Sequence, residues 1–452
     1  MYEQIKNGKV LILGVLFGCV CFSCITEVPI QTNAQAIAEA GNTLIVEGHL
    51  TDQIQTQKIV LSRPADFTND SIVAFDLEDP GTYLFAVPEL QERPILYETG
   101  AMVRILDDAG SEFEFLEGTP GNYFSLTPFG AQVNRGYHLE IKLRDGSLIR
   151  SEEVYLNGNN ALTNLVAKLV IDPELGEGIG FFVSSQSQAD ISPYLRFTYE
   201  ETFKVVAPLW NPQDFVLSNY NPCEDPVTYT LELVNREQQE QICFRTQESA
   251  SVLLGNTKGL NDGILNDYRV HFISKSDFKI AHRYSISVRQ QTVSLETYLF
   301  FENLKNFSQQ DQIFSQIQPG TIGGNLTSAM EASVVPIGFF YVAAQEENRI
   351  FINFSDYFPE VPEPPYIVPC GLRSSPESHA SRCPEFPVQG GTPLCPLSVI
   401  ELLNLGDVIT YAGPYQDEII AICPGPHAYV PRICGDCTVL GENVPPAFWI
   451  EE

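Results

Sequence analysis

Two cysteines in the last part of the chain have the spacing of a chemical site. Cys434 and Cys437 form the motif Cys-Gly-Asp-Cys, which occurs in dithiol redox pairs and as one half of a zinc site. Redox motifs of this kind begin a helix inside a strand–helix–strand unit, and the residues after Cys437 do not indicate one. Zinc would need His379 or His427, because no second Cys-x-x-Cys motif follows residue 24. We therefore interpret Cys434 and Cys437 as members of structural disulfides.

The N-terminus carries a different cysteine signal. Two lysines precede an uncharged run at 10–24, and a small residue stands before Cys24. A positive start, an apolar stretch and a small residue before the cut describe an export signal. A cysteine at that cut is where a bacterial lipoprotein is acylated. We therefore expect a signal peptide at 1–23, acylation of Cys24 and a tether at 24–42.

Other interpretations of this signal stay open. Gly18 precedes Cys19, which offers a second acylation site, although acylation there would leave an apolar stretch on the mature N-terminus. A transmembrane helix needs about 20 apolar residues, so the run at 10–24 fits an uncleaved anchor helix less well. A soluble secreted protein, cut without acylation, is a third alternative. Acylation of Cys24 is the interpretation that agrees best with the residues.

The other cysteines also favour disulfides. Eight of the 11 cysteines follow residue 24, and an even number in an exported chain is typical of a disulfide framework. Cys223 and Cys243 stand apart, and a bridge between them would enclose a predicted strand at 227–233 and stabilise the fold by about 3 kcal/mol. The pairing of the last six stays open; they are Cys370, Cys383, Cys395, Cys423, Cys434 and Cys437.

The composition argues against one class of partner. The chain has 452 residues and a formal net charge of −31 at pH 7, so it repels phosphate backbones, and we expect no nucleic-acid partner. The acidic residues are scattered rather than clustered, which favours a solvated surface over a docking site for a basic partner.

The sequence contains no recognised catalytic motif. It has neither His-Glu-x-x-His nor Gly-x-Ser-x-Gly, and no glycine-rich phosphate loop opens a helix. His49, His138 and His271 lie on predicted strands, where a structural imidazole is the favoured role. The Asn-Asp-Gly at 261–263 lacks the spacing of a calcium loop and indicates a turn. We therefore expect no catalytic residue, no metal and no cofactor.

Three aromatic residues are candidates for contact with a partner. Trp210, Phe215 and Tyr220 lie in one predicted loop between strands. Aromatic side chains on loops act as contact anchors in protein interfaces. They also fold back as a hydrophobic plug on a sheet, and the residues alone do not separate these two roles.

Short alternating strands dominate the chain and indicate an all-β fold. At 137–143 apolar residues alternate with period two, so Tyr137, Leu139, Ile141 and Leu143 should face a core. Turns that contain glycine separate such strands, which is typical of an Ig-like β-sandwich. We assign this N-terminal sandwich to 43–156.

A second β-rich domain with one helix is expected at 157–357. Helical spacing of apolar residues after a possible N-cap at Ser294 predicts a helix at 294–306. Strands at 337–342 and 349–352 should pair around the polar residues 345–348. A Cys- and Pro-rich segment at 358–452, with a short helix at 398–405, should pack on this second domain.

Several short motifs occur in an order that resembles a known family. The most specific are Gln-Pro-Gly-Thr-Ile-Gly-Gly-Asn-Leu at 318–326 and Ile-Gly-Phe-Phe at 337–340. Weaker ones stand at 23–27, 44–48, 100–105, 120–123, 136–139, 434–437 and 446–449. In these motifs the chain resembles the Bacteroidota outer-membrane lipoproteins catalogued as domain of unknown function 4249. Its cysteines between 370 and 423 are more numerous than is usual there.

The resemblance implies a location and a partner rather than a reaction. Such lipoproteins face the periplasm or the cell surface and are often associated with TonB-dependent transporters of the outer membrane. The family carries no established reaction, so no catalytic residues follow from it. We therefore expect a non-catalytic ligand-binding or accessory subunit of such a transporter, held at the membrane by its lipid anchor.

Two alternative functions stay open. A hydrolase acting on exported polymer would place two converging carboxylates in a deep cleft, and paired carboxylates of this kind have no sequence motif. A purely structural component of the envelope would bind no small ligand.

Overall fold

The structure, a computed structural model, describes residues 42–64, 95–224, 226–308, 324–328, 334–378, 397–406, 408–417, 419, 421 and 423–451. The predicted signal peptide, Cys24 and all but the last residue of the predicted tether lie outside these ranges. Within the described ranges the fold is all-β, as the alternating pattern predicts.

Nine strands form the N-terminal part of the chain. The inward alternation predicted for the seventh strand is confirmed, because Tyr137, Leu139, Ile141 and Leu143 are at most 4% exposed. The strands are β1 (Thr43–Thr51), β2 (Lys58–Arg63), β3 (Leu96–Tyr97), β4 (Met102–Asp107), β5 (Glu112–Glu117), β6 (Asn122–Ser125), β7 (Gly136–Lys142), β8 (Leu148–Ser151) and β9 (Val154–Tyr155).

Eleven strands and the longest helix form the middle of the chain. Ser294 caps the helix α1 (Leu295–Ser308) as predicted, since its Oγ accepts a hydrogen bond from the Thr297 amide at 3.1 Å. The strands are β10 (Ala161–Asp172), β11 (Gly176–Gln186), β12 (Tyr194–Val206), β13 (Gln213–Asn221), β14 (Thr228–Asn235), β15 (Ile242–Glu248), β16 (Leu253–Asn256), β17 (Ile264–Ser274), β18 (Arg283–Val293), β19 (Leu326–Ser328) and β20 (Val335–Asn353).

Short elements complete the described fold. Three single-turn segments of 3₁₀ helix stand at Asn261–Gly263, Phe278–Ile280 and Cys437–Val439. The remaining elements are α2 (Phe354–Tyr357), α3 (Val399–Asn404), β21 (Ile409–Pro414), β22 (His427–Pro431) and α4 (Arg432–Gly435).

The N-terminal sandwich is one continuous sheet that folds over its core. Its strands follow the order β20-β1-β2-β6-β5-β4-β7-β8-β19, with β3 on β2 and β9 on β7. The core side chains come from most of these strands and include Leu44, Ile59, Ile105 and Phe340, none of which is exposed. The two ends of the sheet, β19 and β20, meet again at the far side of this core.

Glycines and one asparagine make that meeting possible. The side-chain amide of Asn325 donates to the Phe340 carbonyl at 2.7 Å and accepts from the Phe340 backbone N–H at 2.9 Å. The side chain therefore takes the place of a neighbouring strand's backbone. A Cβ on Gly324 would lie 1.8 Å from the Gly338 carbonyl oxygen, and a Cβ on Gly338 would lie 2.1 Å from that of Val46. Gly338 also has a φ of +141°, which glycine tolerates best. Two of the most distinctive sequence motifs therefore form one backbone contact.

A single long strand joins the two halves of the fold. Over Val335–Ala343, β20 pairs in parallel with β1, and over 344–353 it pairs antiparallel with β18. The prediction of two strands paired around the polar residues 345–348 is therefore wrong. Here polar side chains signal a crossing between layers rather than a turn.

The first two polar residues of this stretch, Gln345 and Glu346, have specific partners. Gln345 accepts from Gln291 at 3.1 Å, and the Glu346 carboxylate accepts from the Leu162 amide at 2.7 Å and from Asn159 at 2.8 Å. Because these bonds satisfy the polar groups, the strand continues through a region where burial is otherwise costly.

The second sandwich has two facing sheets. One consists of β15-β12-β18 and the last part of β20, with β16 beside β12, and the other of β10-β11-β17. Phe181 of β11, Phe203 of β12 and Tyr284 and Ile286 of β18 fill the space between them and are at most 1% exposed.

The C-terminal segment lies against this second sandwich. Phe215 of the β13–β14 hairpin packs with Val399 and Leu402 of α3 and with Tyr411 and Tyr429 of the β21–β22 pair. The amide of Leu209 donates to the Cys434 carbonyl at 3.0 Å, and the amide of Cys437 donates to the Glu240 carbonyl at 2.9 Å. The short helix predicted at 398–405 forms at Val399–Asn404.

We expect Gly324→Ala and Gly338→Ala each to lower the free energy of unfolding by about 2–4 kcal/mol, because a new Cβ would collide with backbone that has no room to move. Gly371→Ala is the matched control, since a Cβ there meets nothing within 4 Å. Denaturant unfolding of the three variants would measure the difference. Equal stability of Gly324→Ala and Gly371→Ala would contradict this closure.

Candidate functional site

A cavity with a volume of about 650 Å³ lies at one end of the second sandwich. Phe203 of β12 and Arg245 and Gln247 of β15 form one wall, because alternate residues of a strand share a face. The turn after β17, at 274–279, forms the opposite wall, and residues 365–367 close the third side. The cavity is thus built from three distant parts of the chain.

Two neighbouring cavities extend the first one into a groove. A cavity of about 280 Å³ shares Phe278 and Tyr366 with the first, and a cavity of about 500 Å³ shares Lys204, His282 and Glu363 with the second. We call these three cavities the groove. The proline-rich residues 361–367 cross it, and the groove opens on both sides of them.

The crossing residues are fixed at several points. The Tyr366 hydroxyl donates to the Ile433 carbonyl at 2.8 Å, and burial raises the pKa of this phenol far above its usual range. A disulfide joins Cys370 to Cys434 just beyond it. The Glu363 carboxylate lies 3.8 Å from His282 Nδ1. The crossing segment is therefore part of the groove wall.

The buried carboxylate of Glu201 contacts Lys279, a residue that lines the groove. Glu201 of β12 is 5% exposed, and its oxygens lie 2.8 Å from Lys279 Nζ, 2.7 Å from the Tyr284 hydroxyl and 3.5 Å from His271 Nε2. Burial alone would raise the pKa of Glu201, but the neighbouring His271 imidazole and the Lys279 ammonium overcome that effect and lower the pKa to about 2. Glu201 is therefore ionised at neutral pH and orients Lys279, which lines the groove.

The same environment acts on Tyr199, two residues earlier on the strand. Burial, together with the Glu201 charge, raises the pKa of Tyr199 to about 12. Its ring packs 4.5 Å from that of His271. The predicted structural role of His271 agrees with these contacts, because the imidazole is enclosed between rings and a carboxylate.

Charges on the opposite face of the same sheet pair with one another. Arg289 contacts Glu200 and Glu248 at 3.2 Å, and Arg349 contacts Glu200 at 2.6 Å and stacks 3.6 Å above the ring of Phe448. These side chains therefore form a cross-strand network that holds neighbouring strands together. We do not treat it as a ligand site.

His49 is the clearest structural imidazole. It lies on β1 and stacks on Tyr341 of β20, with 5.3 Å between the ring centroids. Burial, followed by the nearby charges of Arg196 and Arg289, lowers the pKa of His49 to about 3. The ring is therefore neutral at physiological pH and contributes packing rather than charge.

The structure corrects the predicted cysteine pairing. Cys243 bonds to Cys437, and Cys370 bonds to Cys434, so the expected Cys223–Cys243 loop does not form. The reason is that Cys243 faces the core on β15, next to the C-terminal segment. Glu442 of that segment forms an isolated antiparallel β-bridge with Phe244. Cys434 and Cys437 each hold a different part of the chain.

Four other cysteines follow residue 24, and the structure describes two of them. Cys223 and Cys423 are also disulfide-bonded, whereas Cys383 and Cys395 lie outside the described residues. His379, considered as a zinc ligand with Cys434 and Cys437, lies outside them too. Among the residues that the structure describes, no group of three or more His, Cys, Asp or Glu side chains could hold a metal ion.

Two of the three aromatic residues proposed as contacts, Trp210 and Phe215, pack inward. Trp210 is partly buried against the core of the second sandwich, and Phe215 is 8% exposed. Phe215 and Tyr220 also lie on β13 rather than in a loop. For Trp210 and Phe215 the structure therefore shows a hydrophobic plug instead of exposed anchors.

Sequence reasoning missed the residues of the groove. On β12, Glu201 lies on the same inward face as Leu195 and Phe197, because alternate residues of a strand share a face. A charged residue on an inward face can be recognised in the sequence. Arg245 and Lys279 carried no such signal, because only the fold brings them to the same cavity.

Comparison with known proteins yields one family. The model of a domain of unknown function (DUF4249) matches residues 25–349. No curated protein matches the chain. The matched range includes the N-terminal sandwich, most of β20 and two walls of the groove, whereas the crossing residues 361–367 follow it. No helix of the described ranges is long and apolar enough to cross a membrane.

We expect Glu201→Gln to lower the free energy of unfolding at pH 7 by about 3 kcal/mol, because the pKa is lowered from 4.5 to about 2 in the folded state. A lowered carboxyl pKa stabilises the fold above the unfolded pKa, and this contribution disappears as the pH falls through the folded pKa. The difference between the native protein and the variant should therefore shrink between about pH 4.5 and pH 2.

Glu112→Gln is the matched control for that experiment. Glu112 pairs with Arg104 at 2.9 Å, but its side chain is 49% exposed, and exposed pairs contribute about 1 kcal/mol or less. Urea unfolding across the pH range would compare them. A Glu201→Gln difference that stays constant down to pH 3 would show that the carboxylate charge is not responsible.

We expect non-reducing peptide mapping by mass spectrometry to recover one peptide pair linking Cys243 to Cys437 and another linking Cys370 to Cys434. Replacing both Cys243 and Cys437 with alanine should lower the free energy of unfolding by about 2–5 kcal/mol, because the bridge constrains a long loop. A reduced and alkylated sample is the control. Recovery of a peptide pair linking Cys434 to Cys437 would refute this connectivity.

Proposed function

The chain belongs to the DUF4249 family, and we propose that it is a non-catalytic envelope lipoprotein that acts as a ligand-binding or accessory subunit of an outer-membrane transporter. The observation that carries the binding role is the groove of the second sandwich. With a first cavity of about 650 Å³, it has the size of a small-molecule site. Its walls are fixed by a disulfide and by the Glu201 network, so the groove is preformed.

The two carboxylates at the first cavity, Glu201 and Asp277, favour binding over hydrolysis by their contacts. A hydrolase with two acids needs one of them protonated at working pH. Glu201 has a pKa of about 2 and is held ionised by Lys279. Asp277 Oδ1 accepts the Lys279 backbone amide at 3.0 Å, where it caps the 3₁₀ turn. Neither carboxylate has the arrangement of a general acid, which supports a binding role.

The N-terminal sequence supports the location. In this proposal residues 1–23 are removed, Cys24 is acylated and the protein is anchored at the outer membrane of a member of the Bacteroidota, facing the periplasm or the cell surface. Several acyl chains give stable anchoring. Confinement at the membrane raises the effective concentration of the groove near a TonB-dependent transporter.

We expect mass spectrometry of the native protein to find a mature N-terminus at Cys24 that carries fatty-acid mass. A TonB-dependent transporter should be recovered with it from solubilised outer membranes. Cys24→Ala should abolish acylation and greatly reduce recovery of the transporter, because the tethering that concentrates the two proteins is lost.

Cys19→Ala is the matched control, since it changes the neighbouring cysteine of the same signal and should leave acylation and co-purification unchanged. An intact 1–23 segment, or a mature N-terminus without acyl mass, would refute the anchor. Absence of any transporter from native preparations would refute the partner and favour a structural envelope role.

A further inference from the structure

We propose that the first cavity of the groove binds an oxyanion group of its ligand, a carboxylate or a phosphate, with Arg245 as the main donor and Lys279 as the second. This inference rests on the proposed binding role and specifies its chemistry. It follows from the charges of the groove rather than from those of the whole chain, whose net charge is −31.

Arg245 is a cation without a counterion. It projects from β15 into the first cavity, and its Nη1 donates to the Leu440 carbonyl at 3.2 Å. No carboxylate in the described parts of the chain forms an ion pair with it. One backbone bond uses one of the five donors of a guanidinium, so other donors of Arg245 are left for a ligand in this cavity. A planar fork matches carboxylate and phosphate oxygens.

Lys279 supplies a second set of donors on the opposite wall. Its Nζ bonds Glu201 at 2.8 Å and lies 5.6 Å from the centre of the Phe203 ring, and its side chain is 25% exposed. An ammonium has three donors, so the bond to Glu201 leaves others for a ligand. Glu201 therefore fixes the position of the ammonium without using all of its donors.

None of the other groups that line the cavity in the described parts of the chain forms an ion pair with Arg245 or Lys279. Asp277 is the single carboxylate among the described residues that line the first cavity, and its Oδ1 already caps the Lys279 amide. Ser274 and Ser276 contribute hydroxyl groups 3.1 Å apart. Phe278 and Tyr366 provide apolar surface. The ligand is therefore larger than the anion and carries polar and apolar parts beside it.

The test is calorimetric titration of the mature acylated protein in detergent with inorganic phosphate and, separately, with malonate. Glucose serves as the uncharged probe. At least one anion should bind with a dissociation constant below about 10 mM, and Arg245→Gln should weaken it roughly tenfold or more. The stronger of the two anions identifies the oxyanion.

Two further variants keep the result interpretable. Arg135→Gln is the matched control, because Arg135 pairs with Asp107 and Asp108 in the N-terminal sandwich and should leave binding unchanged. Arg245→Lys keeps the charge and loses the fork, so it should bind less tightly than the native protein and more tightly than Arg245→Gln. Near-ultraviolet circular dichroism checks that each variant is folded.

Failure of this inference is separable from failure of the proposed function. If folded native protein binds neither anion, or Arg245→Gln binds as well as native protein, the oxyanion site is refuted even when the transporter co-purifies. If anions bind as expected and no transporter is recovered, the oxyanion site is supported and the proposed transporter partner is refuted.

Discussion

Hydrogen bonding along β20 unites the two sandwiches, and the rest of the described structure depends on it. The first half of the strand pairs with β1 and the second half with β18, so one backbone belongs to both layers. A turn in the middle would leave that edge of β18 without its antiparallel neighbour. The polar residues at the crossing are hydrogen-bonded to Gln291, Asn159 and the Leu162 amide. These bonds offset the cost of burying polar groups, so the strand can continue from one sandwich into the other.

The groove depends on the same strand at its other end. Asn353, where β20 ends, and Phe354 line the cavity next to the crossing residues. The remaining walls come from β12, β15 and the turn after β17, and the disulfide from Cys370 to Cys434 holds the crossing residues in place. Glu201 links this surface to the core, because its carboxylate contacts both buried Tyr284 and the groove residue Lys279. Core packing and groove geometry are therefore parts of one arrangement.

The sequence predicts local structure well and long-range pairing poorly. Alternation of apolar residues is a local property, so the strand at 137–143 and the cap at Ser294 follow from neighbours in the chain. The continuity of β20 does not follow from neighbours in the chain, because the hydrogen bonds of Glu346 come from Asn159 and Leu162, which are distant in sequence. Cysteine pairing likewise depends on which strand edge the C-terminal segment reaches. The groove could not be predicted, since Arg245 and Lys279 meet only through the fold, although Glu201 was identifiable by its inward parity.

The direction of β20 has a geometric consequence. The strand begins opposite Thr43, where the described chain starts its first strand, and ends at Asn353 in the groove. At about 3.3 Å per residue, its 19 residues span up to about 60 Å. Under the proposed N-terminal lipid anchor, the strand would act as a rigid spacer. It would separate the start of β1 from the groove by up to that length.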